Sequence, residues 1–325
     1  MNNRRRLLAA LGAAGIAPLA AFAQKPAVVH RVGILDVRAH RDTNLEELRK
    51  GLHELGYREG ENLKLEFRWA EGKPERLRAL ADELVRANVE LIFTATTPGA
   101  LAAKSASGTI PIVFVAVGDP VGAGVVSSLA RPGGNVTGLT HFSVDLVGKT
   151  LELAKEVVPG LKHVAVLAPS SNPTTALKLV RIQSAAQALG VKVQVTEVRR
   201  AGDFESAFES IRLQKPAALM PLLDTLTITY SKEIADFARA HRLPTFFEQR
   251  EFVEDGGLAS YGTSYPAMYR RAATYVDKVL KGTRVGTLPV EQPTRFELVI
   301  NMKTAKALGL TIPQSILVRV DRVIE

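Results

Sequence analysis

The chain has 325 residues, a formal charge of +9 and no cysteine. Lack of cysteine excludes thiol catalysis, disulfide staples and thiolate metal sites, so stability rests on burial, and a chain of this length can build two ordinary domains. Its basic residues are scattered rather than gathered into a stripe with aromatic platforms, which argues against nucleic acid as a partner.

The first predicted element, residues 1–23, is an export signal. Arg4, Arg5 and Arg6 precede an apolar run from Leu7 to Phe22, and Ala21-Phe22-Ala23 is the small-x-small pattern that a signal peptidase accepts. Cleavage there starts the mature chain at Gln24 and lowers the charge to +6, with 39 basic against 33 acidic residues. A membrane anchor is the rival reading, but the run contains Pro18 and barely reaches the roughly 20 residues that span hydrocarbon. The triple arginine before Leu7-Leu8 also resembles a twin-arginine signal. The expected compartment is the periplasm.

From residue 31 short β-branched runs alternate with amphipathic helical segments. Arg31 to Leu35 is the first strand, and the helix after it places Leu45, Leu48, Leu52 and Leu55 on one face until Gly56 stops it. Strand 63–68, a helix opened by Pro74, strand 89–94, helix 98–106 and strand 111–117 follow. The cluster Arg131-Pro132-Gly133-Gly134-Asn135 is a turn, and Val136 to Leu139 leads away from it. A second series then runs through helix 144–157, strand 163–168, helix 173–188, strand 191–198, helix 203–214, strand 217–223 and helix 227–241. Strands 245–247 and 257–261, helix 266–281, strand 295–300, helix 302–308 and a short strand near 316–320 complete the chain.

Strands alternating with helices of this length predict right-handed βαβ units and a mostly parallel sheet. The strand runs are almost continuously apolar, as expected where helices cover both sheet faces. Two such series with a turn-rich break predict an α/β fold of two doubly wound, Rossmann-like lobes. One very large sheet is the alternative.

Enzyme signatures are missing from the sequence. There is no Gly-x-Ser-x-Gly elbow, no Walker loop and no His-Glu-x-x-His, and none of the six histidines is paired at metal-ligand spacing. No cofactor, metal site or catalytic residue is expected.

In open α/β sheets ligands sit beyond the carboxyl ends of strands, where helix N-termini present free N–H groups. Thr96, Thr97 and Pro98 follow one strand, and Asp119 follows the next; each is read either as a helix cap alone or as cap plus ligand contact. Ser170, Ser171 and Asn172 repeat the design in the second series. Asp224 directly follows an apolar strand, so its carboxylate can face a cleft and meet a ligand ammonium or hydroxyl. His141, Phe142 and Tyr261 lie where the chain is expected to cross between lobes, as stacking surfaces or as packing. Trp69 reads as packing rather than a ligand platform.

Several stretches carry a family likeness: Gly118-Asp119-Pro120-Val121-Gly122-Ala123-Gly124, Arg131-Pro132-Gly133-Gly134-Asn135-Val136-Thr137-Gly138, Thr97-Pro98-Gly99-Ala100 and Gly256-Gly257-Leu258-Ala259-Ser260-Tyr261-Gly262. Across residues 31–325 the chain resembles the solute-binding proteins of bacterial ABC transporters, in the family that includes tryptophan- and tyrosine-binding members. The resemblance implies a type I periplasmic binding fold with three crossovers, lobe one spanning 28–137 plus 262–286 and lobe two spanning 138–261 plus 287–325. It implies a receptor that closes on a small solute, such as an amino acid or another small carboxylate or aromatic, and docks on a transporter permease; a monomer is the simplest expectation for a freely diffusing carrier. In members that bind amino acids, helix-start hydroxyls take the carboxylate and an acid takes the ammonium; Asp224 is the acid this implies here. A sensor feeding a receptor kinase or chemoreceptor is an alternative, as is a periplasmic enzyme on the same scaffold.

Overall fold

A computed structural model describes residues 28–37, 43–141 and 143–325. The predicted export signal at residues 1–23 and Phe142 lie outside these residues.

The first sheet has five parallel strands in the order β2-β1-β3-β4-β5, namely Leu63–Trp69, His30–Asp36, Leu91–Ala95, Ile112–Val117 and Val136–Thr140. Period-two alternation divides their side chains between two apolar layers. Val32, Ile34, Phe93, Val113 and Val115 pack under α1 (Thr43–Glu54) and α10 (Tyr265–Leu280). Leu35, Ile92, Ile112 and Phe114 pack under α2 (Leu77–Arg86) and α3 (Thr96–Ala106). Burial on both faces explains why these strands read as continuous apolar runs. Gly51 permits the approach of α1 to α10, since a Cβ there would stand 2.7 Å from both the Ala273 Cβ and the Arg270 carbonyl oxygen.

The second lobe begins with α4 (Ser143–Val157) and has a three-stranded parallel sheet, β7-β6-β8, formed by Lys192–Val198, His163–Pro169 and Ala218–Pro221. A parallel bridge from Leu219 to Thr245 continues it into β9-β10-β11-β12, formed by Phe246–Phe247, Ala259–Gly262, Glu297–Asn301 and Arg322–Ile324. The pair β10–β11 is antiparallel, and the other pairs of this lobe are parallel. On one face α4 and α5 (Pro173–Leu189) cover Val164, Val166 and Met220. On the other, α6 (Phe204–Gln214) and α8 (Ser231–Ala240) cover Ala165, Leu167 and Leu219.

The chain passes between the lobes after β5, after β10 and again before β11. At the first passage Gly138 has φ +156°, and a Cβ there would lie 2.0 Å from the Phe114 carbonyl oxygen, so no other residue fits without moving backbone. Passages one and three are zipped together by Glu291 N donating to Gly138 O and Thr140 N donating to Glu291 O. Arg271 of α10 adds a bidentate pair to the Glu291 carboxylate at 2.9–3.0 Å.

The element order follows the alternation read from the sequence, with local corrections. The strand expected near 316–320 is instead α12 (Gln314–Leu317), and the final strand is β12. The helix expected at 227–241 is two: α7 (Thr225–Thr229), which starts early because Asp224 caps it, and α8. A further short helix, α9 (Arg250–Glu254), precedes β10, and α11 (Met302–Leu308) follows β11. Trp69 packs, its ring stacked on Phe67 at 5.5 Å. Among the described residues no helix is long and apolar enough to cross a membrane.

Candidate functional site

The carboxyl ends of β3 and β4 in one lobe face those of β6 and β8 in the other, and the loops there line a small cavity between them. Ala95, Thr96, Thr97, Ala116 and Gly118 line the cavity from the first lobe, joined by Tyr265 and Tyr269 of α10. From the second come Asn172, Thr174, Leu223, Asp224, Thr225 and Ile228, and His141 stands at the first passage between lobes. The lobes touch across this space: Thr97 Oγ1 and Thr174 Oγ1 are 3.0 Å apart.

Two non-glycine residues on the wall hold left-handed backbone, Thr96 at φ +69° and Ala116 at φ +57°. Such conformations cost on the order of 1–3 kcal/mol and persist where surrounding structure imposes them. Ala116 is the extra residue of a bulge, where the β4–β5 register shifts between Val115 and Val117. The bulge turns Gly118 into the cavity wall. Ala95 at the start of α3 supplies no side-chain cap, which leaves first-turn N–H donors of that helix to other partners.

In the second lobe two helix starts are bound into one network. Asn172 Oδ1 accepts from Thr174 N at 3.0 Å and caps α5, while its Nδ2 donates to Asp224 Oδ2 at 2.8 Å. Asp224 Oδ1 accepts from Leu226 N at 2.8 Å and caps α7. The carboxylate therefore caps a helix and also lines the cavity, the two alternatives weighed for residues of this kind.

Beneath this network lies a buried ion pair. Lys178 Nζ donates to Glu248 Oε1 at 2.9 Å and to the Leu223 carbonyl at 3.1 Å, with side-chain exposures of 2% and 3% for the two residues. Its positive charge also reaches His141. Burial above all, and then Lys178, pushes the imidazole down to about 3, while a hydrogen bond to the Val117 backbone acts in the opposite sense. His141 is neutral at physiological pH.

Three buried polar atoms on the cavity wall have no hydrogen-bond partner among the described residues: Thr96 Oγ1, His141 Nδ1 and Thr225 Oγ1. Buried polar atoms are almost always paired, because an unpaired one costs about 1–3 kcal/mol. Three converging on one cavity make it the candidate site for another molecule.

Of the residues singled out in the sequence, Thr96, Thr97, His141, Asn172 and Asp224 meet in this cavity. Pro98 and Ser171 line a wider opening outside it, which shares Asp224 and Thr225. Asp119 turns back on its own loop, accepting from Val121 N and Gly122 N at 3.1 and 2.8 Å. Ser170 is exposed and accepts from Arg199 Nε at 3.2 Å. Tyr261 packs against Phe296 with ring centroids 5.9 Å apart. Tyr265 and Tyr269 were not anticipated, although their spacing of four on one helix is a legible signal.

A family model described as ABC transporter substrate binding protein matches residues 34–324. A tyrosine-binding protein of Clostridioides difficile is 30% identical over 284 residues, covering 86% of this chain and 81% of that protein. An ABC domain from Streptococcus pneumonia solved with L-Trp superposes with a TM-score of 0.86 at 27% identity, covering 91% of this chain and all of that one. A ligand-free, open substrate binding protein with adhesive properties from Clostridium difficile gives a TM-score of 0.65 at 28% identity, over 91% of this chain and 99% of that one.

Proposed function

The chain belongs to the family of ABC transporter substrate-binding proteins, and from that premise we propose that it is a periplasmic receptor, exported by residues 1–23, that closes around a small solute and presents it to a permease. The observation that carries this reading is the convergence, on one cavity walled by both lobes, of three buried polar atoms without partners among the described residues. A ligand held by residues of two bodies stabilises the closed arrangement by its differential affinity for that arrangement. The moving bodies are 28–137 plus 262–286 and 138–261 plus 287–325.

The two structural comparisons support a closed state. At nearly equal identity and equal coverage, the L-Trp complex matches far better than the open, ligand-free protein. Sequence divergence cannot account for that difference, whereas a rotation of one lobe against the other can. The direct bond between Thr97 and Thr174 agrees with closure.

Thr96, Thr97, His141, Asn172 and Asp224 form the proposed ligand-binding set, with Thr225, Tyr265 and Tyr269 added. The start of α3 and its hydroxyls suit a carboxylate, and Asp224 suits an ammonium. Relatives named for tyrosine or solved with L-Trp make aromatic amino acids the first solutes to test. The role is binding without turnover, by a monomer with no cofactor.

Thermal unfolding against a panel of amino acids, aromatic acids, dicarboxylates and sugars tests the reading. A solute at about 100 times its dissociation constant adds roughly 2.7 kcal/mol, a shift of a few degrees for a protein of this size. One chemical class raising the midpoint supports the receptor reading. A flat panel, with no solute extracted from the purified protein, would count against it.

A further inference from the structure

The loop after β4 is held stiffly and ends against the other lobe. Asp119 Oδ1 accepts from Val121 N and Gly122 N at 3.1 and 2.8 Å, and the Asp119 carbonyl accepts from Ala123 N at 3.0 Å. Pro120 O accepts from Val125 N and Val126 N at 2.8 and 3.0 Å, and both valines are buried in the apolar layer under α2 and α3. Lys104 of α3 donates to Gly124 O at 2.7 Å. The turn is therefore fixed by its own carboxylate, by the core and by the neighbouring helix.

Gly122 occupies the part of this loop nearest the second lobe. Its φ lies outside the left-handed region, so the backbone does not require glycine there. The surroundings do. A Cβ on Gly122 would lie 3.0 Å from Leu177 Cδ1 of α5 and 2.3 Å from Asp119 Oδ2. Leu177 follows Thr174 by three residues, and Thr174 is the residue whose hydroxyl meets Thr97. Residues three apart share a helix face, so one face of α5 meets the first lobe twice, through a polar contact and then an apolar one. Neither Gly122 nor Leu177 lines the cavity.

We infer that Gly122 and Leu177 are positioning residues for solute binding: the loop at 118–124 is the surface on which α5 comes to rest, and the bare Cα of Gly122 is the seat that lets the lobes close fully. This inference rests on the hinge-closure reading above and adds the place where the motion stops. Close-packed surfaces resist overlap steeply, so a seated side chain fixes the closed angle. Solute affinity depends on reaching that angle, and it therefore follows two residues outside the cavity. Asp119 serves the same end, since its carboxylate holds the Gly122 backbone in place.

A cross-link between the lobes tests it without any solute. The chain has no cysteine, so Thr97→Cys with Thr174→Cys introduces the only two thiols, where two hydroxyl oxygens stand 3.0 Å apart. Their disulfide can form only while the lobes are together. In a solute-free hinge receptor the closed form is the minor one, and the rate of disulfide formation with oxidised glutathione follows its population. Adding Gly122→Ala should slow that rate about fivefold or more. The slowing should be absent when Leu177→Ala is also present, because the penalty belongs to two residues in contact. Gly122 is exposed, so alanine there leaves the core untouched. Equal slowing with and without Leu177→Ala puts the clash inside the Asp119 turn and overturns the inference, as does no slowing at all. Calorimetry with L-tyrosine, on variants that keep Thr97 and Thr174, should show the same loss of affinity and the same cancellation; unchanged affinity in Gly122→Ala overturns the inference. If L-tyrosine binds no form of the protein, the aromatic amino-acid reading fails and the cross-linking rates decide this one.

Discussion

The hydroxyl of Thr97 at the start of α3 meets the hydroxyl of Thr174 at the start of α5, 3.0 Å away in the other lobe. Both residues are buried. On the proposed hinge closure, the contact exists when the lobes are together and is exchanged for water when they part. A net contribution of about 1 kcal/mol is ordinary for one such bond, and it matters here because open and closed states of a hinge protein differ by only a few kcal/mol.

Thr97→Val keeps the volume and removes the hydroxyl, leaving Thr174 unpaired in the closed form. Solute affinity should fall about three- to tenfold, and small-angle scattering at a fixed solute concentration should show a larger radius of gyration. Unchanged affinity and scattering would mean that the bond contributes nothing to closure.

Asp224→Asn separates the two jobs of that residue. The cap on α7 keeps an acceptor, whereas the amide now confronts the Nδ2 donor of Asn172, so stability should drop by about 1 kcal/mol. Affinity for a solute with an ammonium should drop more than tenfold, since charge-assisted bonds are roughly twice as strong as neutral ones. A lower melting midpoint with unaltered affinity would assign Asp224 to structure alone.

The Lys178–Glu248 pair makes a sharper prediction. Lys178→Met takes the opposite charge away from the buried Glu248 carboxylate and should cost about 3–5 kcal/mol in urea unfolding. Lys178→Met combined with Glu248→Leu removes both charges and should recover most of that loss. If the double variant is as unstable as the single, the bond from Lys178 to the Leu223 carbonyl, not the ion pair, is what supports the loop bearing Asp224.

Acid should act through His141. Its folded value of about 3 lies below the ordinary 6.5, so the unfolded chain binds the proton first as pH falls. The stabilisation is complete above pH 6.5 and is lost progressively on acidification towards pH 3, at about 1.4 kcal/mol per pH unit within that window. Urea unfolding of wild type and His141→Asn at pH 4, 5, 6 and 7 should give a steeper pH slope for the wild type. Parallel slopes would contradict a buried neutral imidazole.

Thr96 offers a trade between stability and binding. Glycine adopts φ +69° without strain, so Thr96→Gly should raise stability by about 1 kcal/mol, while loss of the unpartnered hydroxyl should weaken the solute several-fold. A variant that gains stability and binds as well as wild type would show that the hydroxyl does not meet solute.

Much of this protein was written locally. The alternation of apolar strands with helices whose leucines recur every three or four residues specifies a doubly wound α/β chain, because each element's period depends on its near neighbours alone. Helix-start chemistry likewise pointed to Thr96, Thr97, Asn172 and Asp224, since a polar residue after an apolar strand must stand at a sheet's carboxyl end. The same reasoning could not separate Asp119 from these. Asp119 follows an adjacent strand with the same pattern, yet its carboxylate bends back onto Val121 N and Gly122 N. The same reasoning named Tyr261 and passed over Tyr265, four residues on, which the second passage between lobes separates into different surroundings: one packs on Phe296, and the other enters the cavity with α10. The bulge at Ala116, the pairing of Lys178 with Glu248 and the Thr97–Thr174 contact join residues from distant parts of the chain or from opposite lobes. No local period encodes such meetings. They arise when long-range packing orients each loop against the others, and that orientation exists only in the folded, two-lobed molecule.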